Sequence, residues 1–351
     1  MSSLKKINEV RRTVLSVLTK NIGTSTTTPK GKPLNRDEVK RILIVRPNHR
    51  LGNQLLMTPL IQEVQQTFPN CKIDLFVKGF VAPILFKNYD NIDQILRLPK
   101  KPFKELGTYM QGWLKIRSKR YDIAINVTNG SSSGRLLTKF SRATYKFYGD
   151  NMTDTHFSAT DYMHIAKRPV CSLRDCLSML GVSLTDREIP SLDLKLSSSE
   201  ITEGKKLLNN LIADKEAKTI CLFTFATGTK CYTEAWWNEF YEKLKAAYPH
   251  FNVIEILPVE NISKIGFKEP SFYSKDVREM AAVMANTDAF IGADSGIMHL
   301  ASSAKVPTFG LFSVTSTEMY EPYNNGSRAL NTNELSIDEM IAIIDKVLSA
   351  K

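Results

Sequence analysis

Three loops of this 351-residue chain carry residues suited to binding an anion. Each loop follows a short apolar run, and the three runs end at Val45, Phe225 and Gly292. In the third loop, Asp294 and Ser295 stand where the N-cap of a following helix is expected. The first N–H groups of a helix have no internal partner and carry a partial positive charge. This loop therefore predicts an anion site formed by the backbone N–H groups of Ser295, Gly296 and Ile297.

The elements before and between these loops alternate between two patterns. Short, continuous apolar runs are typical of buried parallel strands, and the segments between them have helical period. In the first half, strands are predicted at 42–45, 73–77, 92–96 and 121–127, and helices at 54–68, 80–86 and 103–116. Strands that alternate with helices indicate a parallel, doubly wound α/β sheet.

The same alternation begins again after residue 196. Strands are predicted at 219–225, 251–257, 289–292 and 308–312, and helices at 197–214, 234–248, 277–285 and 298–303. A chain of this length exceeds what one hydrophobic core usually organises. We therefore predict two Rossmann-like domains, at 39–195 and 196–351, after a separate segment at 1–38. Ligands of such sheets bind beyond the carboxyl ends of the strands, where the three loops lie.

The net charge of +11 is concentrated at the N-terminus, where residues 1–40 hold nine Lys and Arg against three Asp and Glu. Apolar residues at helical spacing between these charges predict a basic amphipathic helix, followed by a flexible linker. Two interpretations of the helix stay open. It lies on an anionic membrane surface, or it packs on its own domain with its charges in solvent.

Several classes of protein are disfavoured by the sequence. No window approaches the ~18 apolar residues of a membrane span, and no secretory signal is evident, so we expect a cytoplasmic protein. The five cysteines form no CxxC pair, which argues against a disulfide framework and a zinc site. The chain lacks the glycine motifs of NAD-dependent and ATP-hydrolysing enzymes. Nucleic-acid binding is not expected, because the basic segment has no interleaved aromatic residues.

Two sequence motifs identify a family. Asp-Ser-Gly-x-x-His-Leu-Ala at 294–301, followed by Val-Pro-Thr-x-x-Leu-Phe at 306–312, resembles the signature of glycosyltransferase family 9, the ADP-heptose:lipopolysaccharide heptosyltransferases. The segment 46–60, which contains Leu-Gly-Asn-Gln-Leu, is similar to the N-terminal element of that family. A looser match runs from Phe225 to Lys230 and on to Trp236. The resemblance covers about residues 41–330.

The resemblance implies a GT-B enzyme, in which two Rossmann-like domains face a central cleft. The first domain would bind the acceptor, an anionic glycolipid or oligosaccharide, and the second an ADP-sugar. By this likeness, donor contacts would come from Thr227, Thr229, Lys230, Glu260, Asp294, Ser295, Gly296, Ile297 and His299. The acceptor-side loop would contribute Arg46, Asn48, Arg50 and Gly52. Lys230, Glu260 and His299 also have ordinary interpretations, as a solvated lysine, a surface carboxylate and a core histidine.

The predicted reaction is an inverting transfer of a heptose or related sugar to a lipopolysaccharide-core or other surface glycan. No DxD pair occurs on a suitable loop, so we expect neither a metal nor another cofactor. Lys230 and the N–H groups at 295–297 would stabilise the departing diphosphate instead.

One position departs from the family pattern. The Asp that usually follows Leu-Gly, and that serves as the catalytic base, is Asn53 here, and an amide has no basic form near pH 7. Three interpretations follow, in order of preference. Asn53 orients the acceptor while His49 or Asp294 takes the proton; or the proton leaves late, to water or phosphate; or the chain is a catalytically impaired nucleotide-sugar-binding homologue. A transferase that uses a different donor sugar is a further alternative.

Overall fold

A computed structural model of the protein describes residues 34–98, 106–128, 130–149, 159–182, 184, 187–323 and 325–349. The basic helix predicted for the N-terminus lies outside these residues, whereas a short 3-10 turn at Arg36–Glu38 lies within them. No helix in the described part of the chain has the length and apolar character needed to cross a bilayer.

The first half forms a five-stranded sheet in which all pairings are parallel. Its strands are β1 (Arg41–Arg46), β2 (Lys72–Lys78), β3 (Ile92–Leu98), β4 (Arg120–Asn126) and β5 (Arg142–Phe147). The spatial order is β3-β2-β1-β4-β5, so the direction of winding reverses between β1 and β4. That reversal is where a doubly wound sheet opens a crevice for ligands.

The second half forms a six-stranded sheet, also parallel throughout. Its strands are β6 (Thr219–Phe223), β7 (Asn252–Ile256), β8 (Ser271–Phe272), β9 (Ala289–Ala293), β10 (Thr308–Phe312) and β11 (Arg328–Asn331). The order β8-β7-β6-β9-β10-β11 repeats the winding of the first sheet, with its reversal between β6 and β9. The predicted fold class, two Rossmann-like α/β units of GT-B type, is confirmed.

Helices cover both sheets. Those of the first half are α1 (Leu51–Leu55), α2 (Thr58–Thr67), α3 (Ala82–Leu85), α4 (Leu106–Ser118), α5 (Ser132–Phe140), α6 (Ala159–Met163) and α7 (Arg168–Ser178). Those of the second half are α8 (Ser198–Asn209), α9 (Glu234–Ala247), α10 (Val277–Met284), α11 (Gly296–Ser303), α12 (Thr317–Tyr320) and α13 (Ile337–Leu348).

The apolar runs that predicted strands are buried in the hydrophobic cores. The four central residues of β1 and all five residues of β9 are buried. Trp237 and Phe240 of α9 are buried in the core of the second unit, and Trp236 stacks on Phe240 with ring centroids 5.3 Å apart. All five cysteines are free, and four of them are buried.

One predicted helix was wrong in its extent. The segment expected to form a single helix at 54–68 forms two, α1 and α2, with a turn at Leu56 and Met57 between them. Pro59 lies in the first turn of α2, where its missing N–H costs nothing, whereas inside a continuous helix it would remove a hydrogen bond. The break turns α1 into a short separate element beside the cleft.

Several elements were not predicted from the sequence, namely α5, β5, α6, α7, β8, α12, β11 and α13. β5 is an edge strand in which buried positions are mixed with exposed ones, so it shows no continuous apolar run. β8 has only two residues. These strands exist because a neighbouring strand offers its unpaired backbone groups, which local periodicity does not reveal.

A buried arginine joins the two units. The guanidinium of Arg278, in α10, donates to both carboxylate oxygens of Glu200, at 2.6 and 2.9 Å. It also donates to the carbonyl of Leu194 in the connection between the units, at 3.1 Å, and to that of Leu85 in α3, at 3.3 Å. Arg278 is 4 % exposed, and its hydrogen bonds lower the pKa of Glu200.

We expect Arg278→Ala to lower the free energy of unfolding by about 3 kcal/mol near pH 7, because it leaves a carboxylate and several carbonyls unpaired. Since the folded-state pKa of Glu200 is depressed, the stabilisation is present above the ordinary glutamate pKa of ~4.3. It is lost as the pH falls below that value. Urea unfolding between pH 7 and pH 3 measures both effects. Lys268→Ala, which removes a surface ion pair with Glu242 and a contact with the Tyr241 ring, is the control, and an equal loss for both variants would contradict the assignment.

Candidate active site between the two sheets

The two units meet where helices α1 and α11 begin. A Cβ atom on Gly52 would lie 3.3 Å from Gly296 Cα and 3.0 Å from His299 Cδ2, and one on Gly296 would lie 3.2 Å from the Gly52 nitrogen. Both positions therefore accept a larger residue only if the helices move apart. The contact brings the loop after β1 directly against the loop after β9.

A cleft of about 710 Å³ opens beside this contact. It lies at the carboxyl ends of β1, β6 and β9, the strands next to the two winding reversals. The structure brings most of the predicted residues into its lining: Arg50, Gly52, Asn53, Thr227, Lys230, Glu260, Asp294, Ser295, Gly296, Ile297 and His299.

The other four predicted residues do not line the cleft. Arg46 is 3 % exposed and donates to Asn53. Asn48 holds the same loop, since its Oδ1 accepts the backbone N–H of Arg50 at 2.9 Å. His49 and Thr229 are exposed, the latter in the 3-10 turn Gly228–Lys230.

An ion pair occupies the second unit's wall of the cleft. Lys230 Nζ donates to Asp294 Oδ2 at 2.5 Å, and the hydroxyl of Thr315 donates to the same oxygen at 2.5 Å. Asp294 is 5 % exposed, whereas the Lys230 side chain is 33 % exposed. An ammonium group has three donors, so Lys230 can hold Asp294 and still donate to a ligand in the cleft.

The N-terminus of α11 faces the same space. Ser295 is its N-cap, with an extended backbone, and its hydroxyl accepts the N–H of Met298 at 3.2 Å. The N–H groups of Gly296 and Ile297 precede the first internal hydrogen bond of the helix. Together with Lys230 they give this wall the donors and positive potential that a diphosphate requires.

His299 and Glu260 lie at opposite depths of the cleft. His299 is 5 % exposed at the floor, and burial lowers its pKa to about 4 despite the attraction of Asp294. It is therefore neutral near pH 7. Glu260 is exposed on the loop after β7, beside Leu257 and Pro258 at the rim.

Sequence reasoning missed Thr315 and Tyr320. Thr315 follows β10, so the rule that ligands bind beyond the carboxyl ends of the strands would have reached it. The Tyr320 ring lies 5.8 Å from Lys230 Nζ and also lines the cleft. Its position depends on the short helix α12, for which the sequence offered no signal.

Part of the second unit matches a known family. Residues 275–340, which include the Lys230 partner Asp294 and helix α11, match the model of glycosyltransferase family 9 (heptosyltransferase). The chain is 22 % identical over 298 residues to lipopolysaccharide heptosyltransferase 3 of Escherichia coli, covering 78 % of this chain and 84 % of that protein. The corresponding protein of strain K12 is 25 % identical over 299 residues, which cover 78 % of this chain and 82 % of that protein.

Solved structures share the fold of this chain. The glycosyl transferase family 9 structure from Veillonella parvula superposes with a TM-score of 0.71 at 17 % identity, covering 92 % of this chain and all of that one. The E. coli heptosyltransferase WaaC with ADP superposes with a TM-score of 0.62 at 16 % identity, covering 89 % of this chain and all of that one. The signature motifs, the GT-B fold and these likenesses together support a glycosyltransferase that is similar to the heptosyltransferases of family 9.

Proposed function

We propose that this protein transfers a heptose or a related sugar from an ADP-sugar to a lipopolysaccharide-core or other surface-glycan acceptor, with inversion at the sugar carbon. The observation that carries the proposal is the wall formed by Lys230, Asp294 and the N-terminus of α11, since its donors converge where a departing diphosphate would lie. The E. coli relatives are named lipopolysaccharide heptosyltransferases, and the E. coli heptosyltransferase WaaC was solved with ADP. The reaction would take place on the cytoplasmic side of the membrane.

The donor would be held by the second unit. The diphosphate lies against Lys230, Thr227 and the N–H groups of Ser295, Gly296 and Ile297. Glu260 holds the ribose at the rim, and His299, neutral at the floor, supports the sugar. The Thr315 hydroxyl donates to Asp294 and keeps this carboxylate in place. The carboxylate in turn positions the Lys230 ammonium group for the phosphates.

The acceptor would enter along the first unit, over Arg50, Gly52 and Asn53. Its proton needs a destination other than Asn53. Asp294 is engaged by Lys230 and Thr315, and the low pKa of His299 makes it a weak base. We propose His49, exposed on the same loop as Asn53, as the proton acceptor, with late transfer to water or phosphate as the alternative.

We expect Lys230→Ala to weaken ADP-sugar binding or turnover at least ~10-fold, the effect of losing one charge-assisted contact. Titration calorimetry with an ADP-sugar measures it. Lys268→Ala serves as the control, and Lys230→Arg should retain part of the affinity because it keeps the charge. Unchanged affinity in Lys230→Ala would remove this residue from the donor site.

Treatment with EDTA should leave turnover intact, because Lys230 and the helix N-terminus carry out the charge stabilisation that Mg²⁺ performs in other transferases. Release of ADP, followed before and after chelation, measures this. A loss of activity that added Mg²⁺ or Mn²⁺ restores would contradict metal independence.

His49→Ala should lower kcat by ~10² to 10⁴ and remove the acidic limb of the pH profile, if His49 takes the proton. His250→Ala, at another exposed histidine, should leave both unchanged. Asn53→Asp should then keep or raise kcat, since it supplies the carboxylate that the family normally has. A silent His49→Ala, combined with a kcat that appears only in Asn53→Asp, would show that the natural chain binds the donor without transferring it.

A further inference from the structure

Arg46 is a buried cation with no carboxylate beside it among the described residues. It is the last residue of β1, 3 % exposed, and burial lowers its pKa to about 10. Its guanidinium donates to the hydroxyl of Thr128 at 3.2 Å and to Oδ1 of Asn53 at 2.8 Å, both neutral groups. Its Nε is buried with no hydrogen-bond partner.

The other buried arginines of the described chain are compensated. Arg174 is paired with Glu63, at 2.7 Å, and Arg278 with Glu200, at 2.6 Å. Within the described ranges, Arg46 forms no ion pair with Asp or Glu. An uncompensated buried charge costs several kcal/mol, so such a residue persists where something else supplies the counter-charge.

The bond to Arg46 fixes which way the Asn53 amide faces. A guanidinium has donors only, so Oδ1 of Asn53 must be the atom that meets it. The amide nitrogen is on the opposite branch of the side chain and forms no hydrogen bond with a described residue. Asn53 lines the cleft. The first unit's wall therefore offers an N–H donor with a positive charge behind it, where the family's usual aspartate would offer an acceptor.

We propose that this wall binds an oxyanion of the acceptor, a phosphate or a carboxylate close to the hydroxyl that is glycosylated. The oxyanion would accept from Asn53 Nδ2 and neutralise Arg46 through space, while Arg50, exposed and in the cleft lining, offers a second positive charge. The donor's diphosphate has its own donors on the opposite wall, so it does not fill this role. The assignment to the acceptor rests on the proposed function; the oxyanion site itself does not.

Asn53→Asp tests the oxyanion site directly, because it replaces the amide by a carboxylate of the same shape. The new carboxylate would pair with Arg46 inside the protein and remove the need for an external anion. The ligand-free variant should then melt at a higher temperature than the natural protein near pH 7. Gln111→Glu, on the exposed surface of α4, adds the same charge away from the cleft and should not raise the melting temperature.

Binding of inorganic phosphate, measured by calorimetry with the donor site saturated by ADP, is the second readout. The natural protein and Gln111→Glu should bind it alike, and Asn53→Asp at least ~10-fold more weakly, because one charge-assisted contact is lost and a like charge is added. A sugar phosphate and a uronic acid, each compared with the neutral sugar, show which oxyanion the site prefers. Turnover should follow, with the KM for a phosphorylated or acidic acceptor rising in Asn53→Asp more than kcat changes.

Equal phosphate affinity in the natural protein and Asn53→Asp would overturn the inference, as would an unchanged melting temperature of the ligand-free variant. If ADP fails to bind the natural protein while phosphate still separates the two proteins, the donor proposal fails and the oxyanion site stands. If ADP binds but phosphate affinity is the same in both, the donor proposal stands and the oxyanion site is rejected.

Discussion

The cleft of this protein depends on the contact between two glycines. Gly52 and Gly296 lie in the first turns of two helices, one from each unit, and a Cβ on either would come within 3.3 Å of the other's backbone. The contact sets the distance between the loop after β1 and the loop after β9. The two glycines lie 244 residues apart in the chain, each in one of the two sequence motifs. Only the arrangement of the two sheets shows that these motifs contact each other.

The two walls of the cleft differ in how their positive charges are paired. On the second unit's wall, Lys230 is paired with Asp294, so the positive charge is held in place and partly neutralised before any ligand arrives. On the first unit's wall, Arg46 has only neutral partners among the described residues. A bound anion would therefore stabilise the first wall, whose buried charge is unpaired, more than the second wall, whose charge is already paired. The reason is that an unpaired buried charge is the costlier state. Because Asn53 is an amide and not a carboxylate, it has no basic form near pH 7 and gives Arg46 no counter-charge.

Much of the fold was accessible from the sequence. The continuous apolar runs of β1, β2, β6, β9 and β10 are what parallel strands buried on both faces require, and all five were predicted within two residues of their bounds. Of the edge strands, β3 was predicted, whereas β5, β8 and β11 were not, because they owe their existence to a neighbouring strand. The single helix predicted over residues 54–68 shows the opposite error, since helical period continued across Pro59 while the backbone did not.

The sequence by itself indicated several of the residues that line the second unit's wall of the cleft. A helix N-cap after a buried strand is a local feature, and Asp294, Ser295 and Gly296 define it within three positions. Only the tertiary structure decided how these residues are used. Lys230 and Asp294 are 64 positions apart, and their pairing follows from β6 and β9 being neighbours in the sheet. Likewise, the sequence showed that Asn53 cannot be a base, but only the tertiary structure decided that its amide oxygen accepts from the guanidinium of Arg46. Partners of this kind are set by sheet order and by the fixed donor geometry of arginine, and neither has a local signature in the chain.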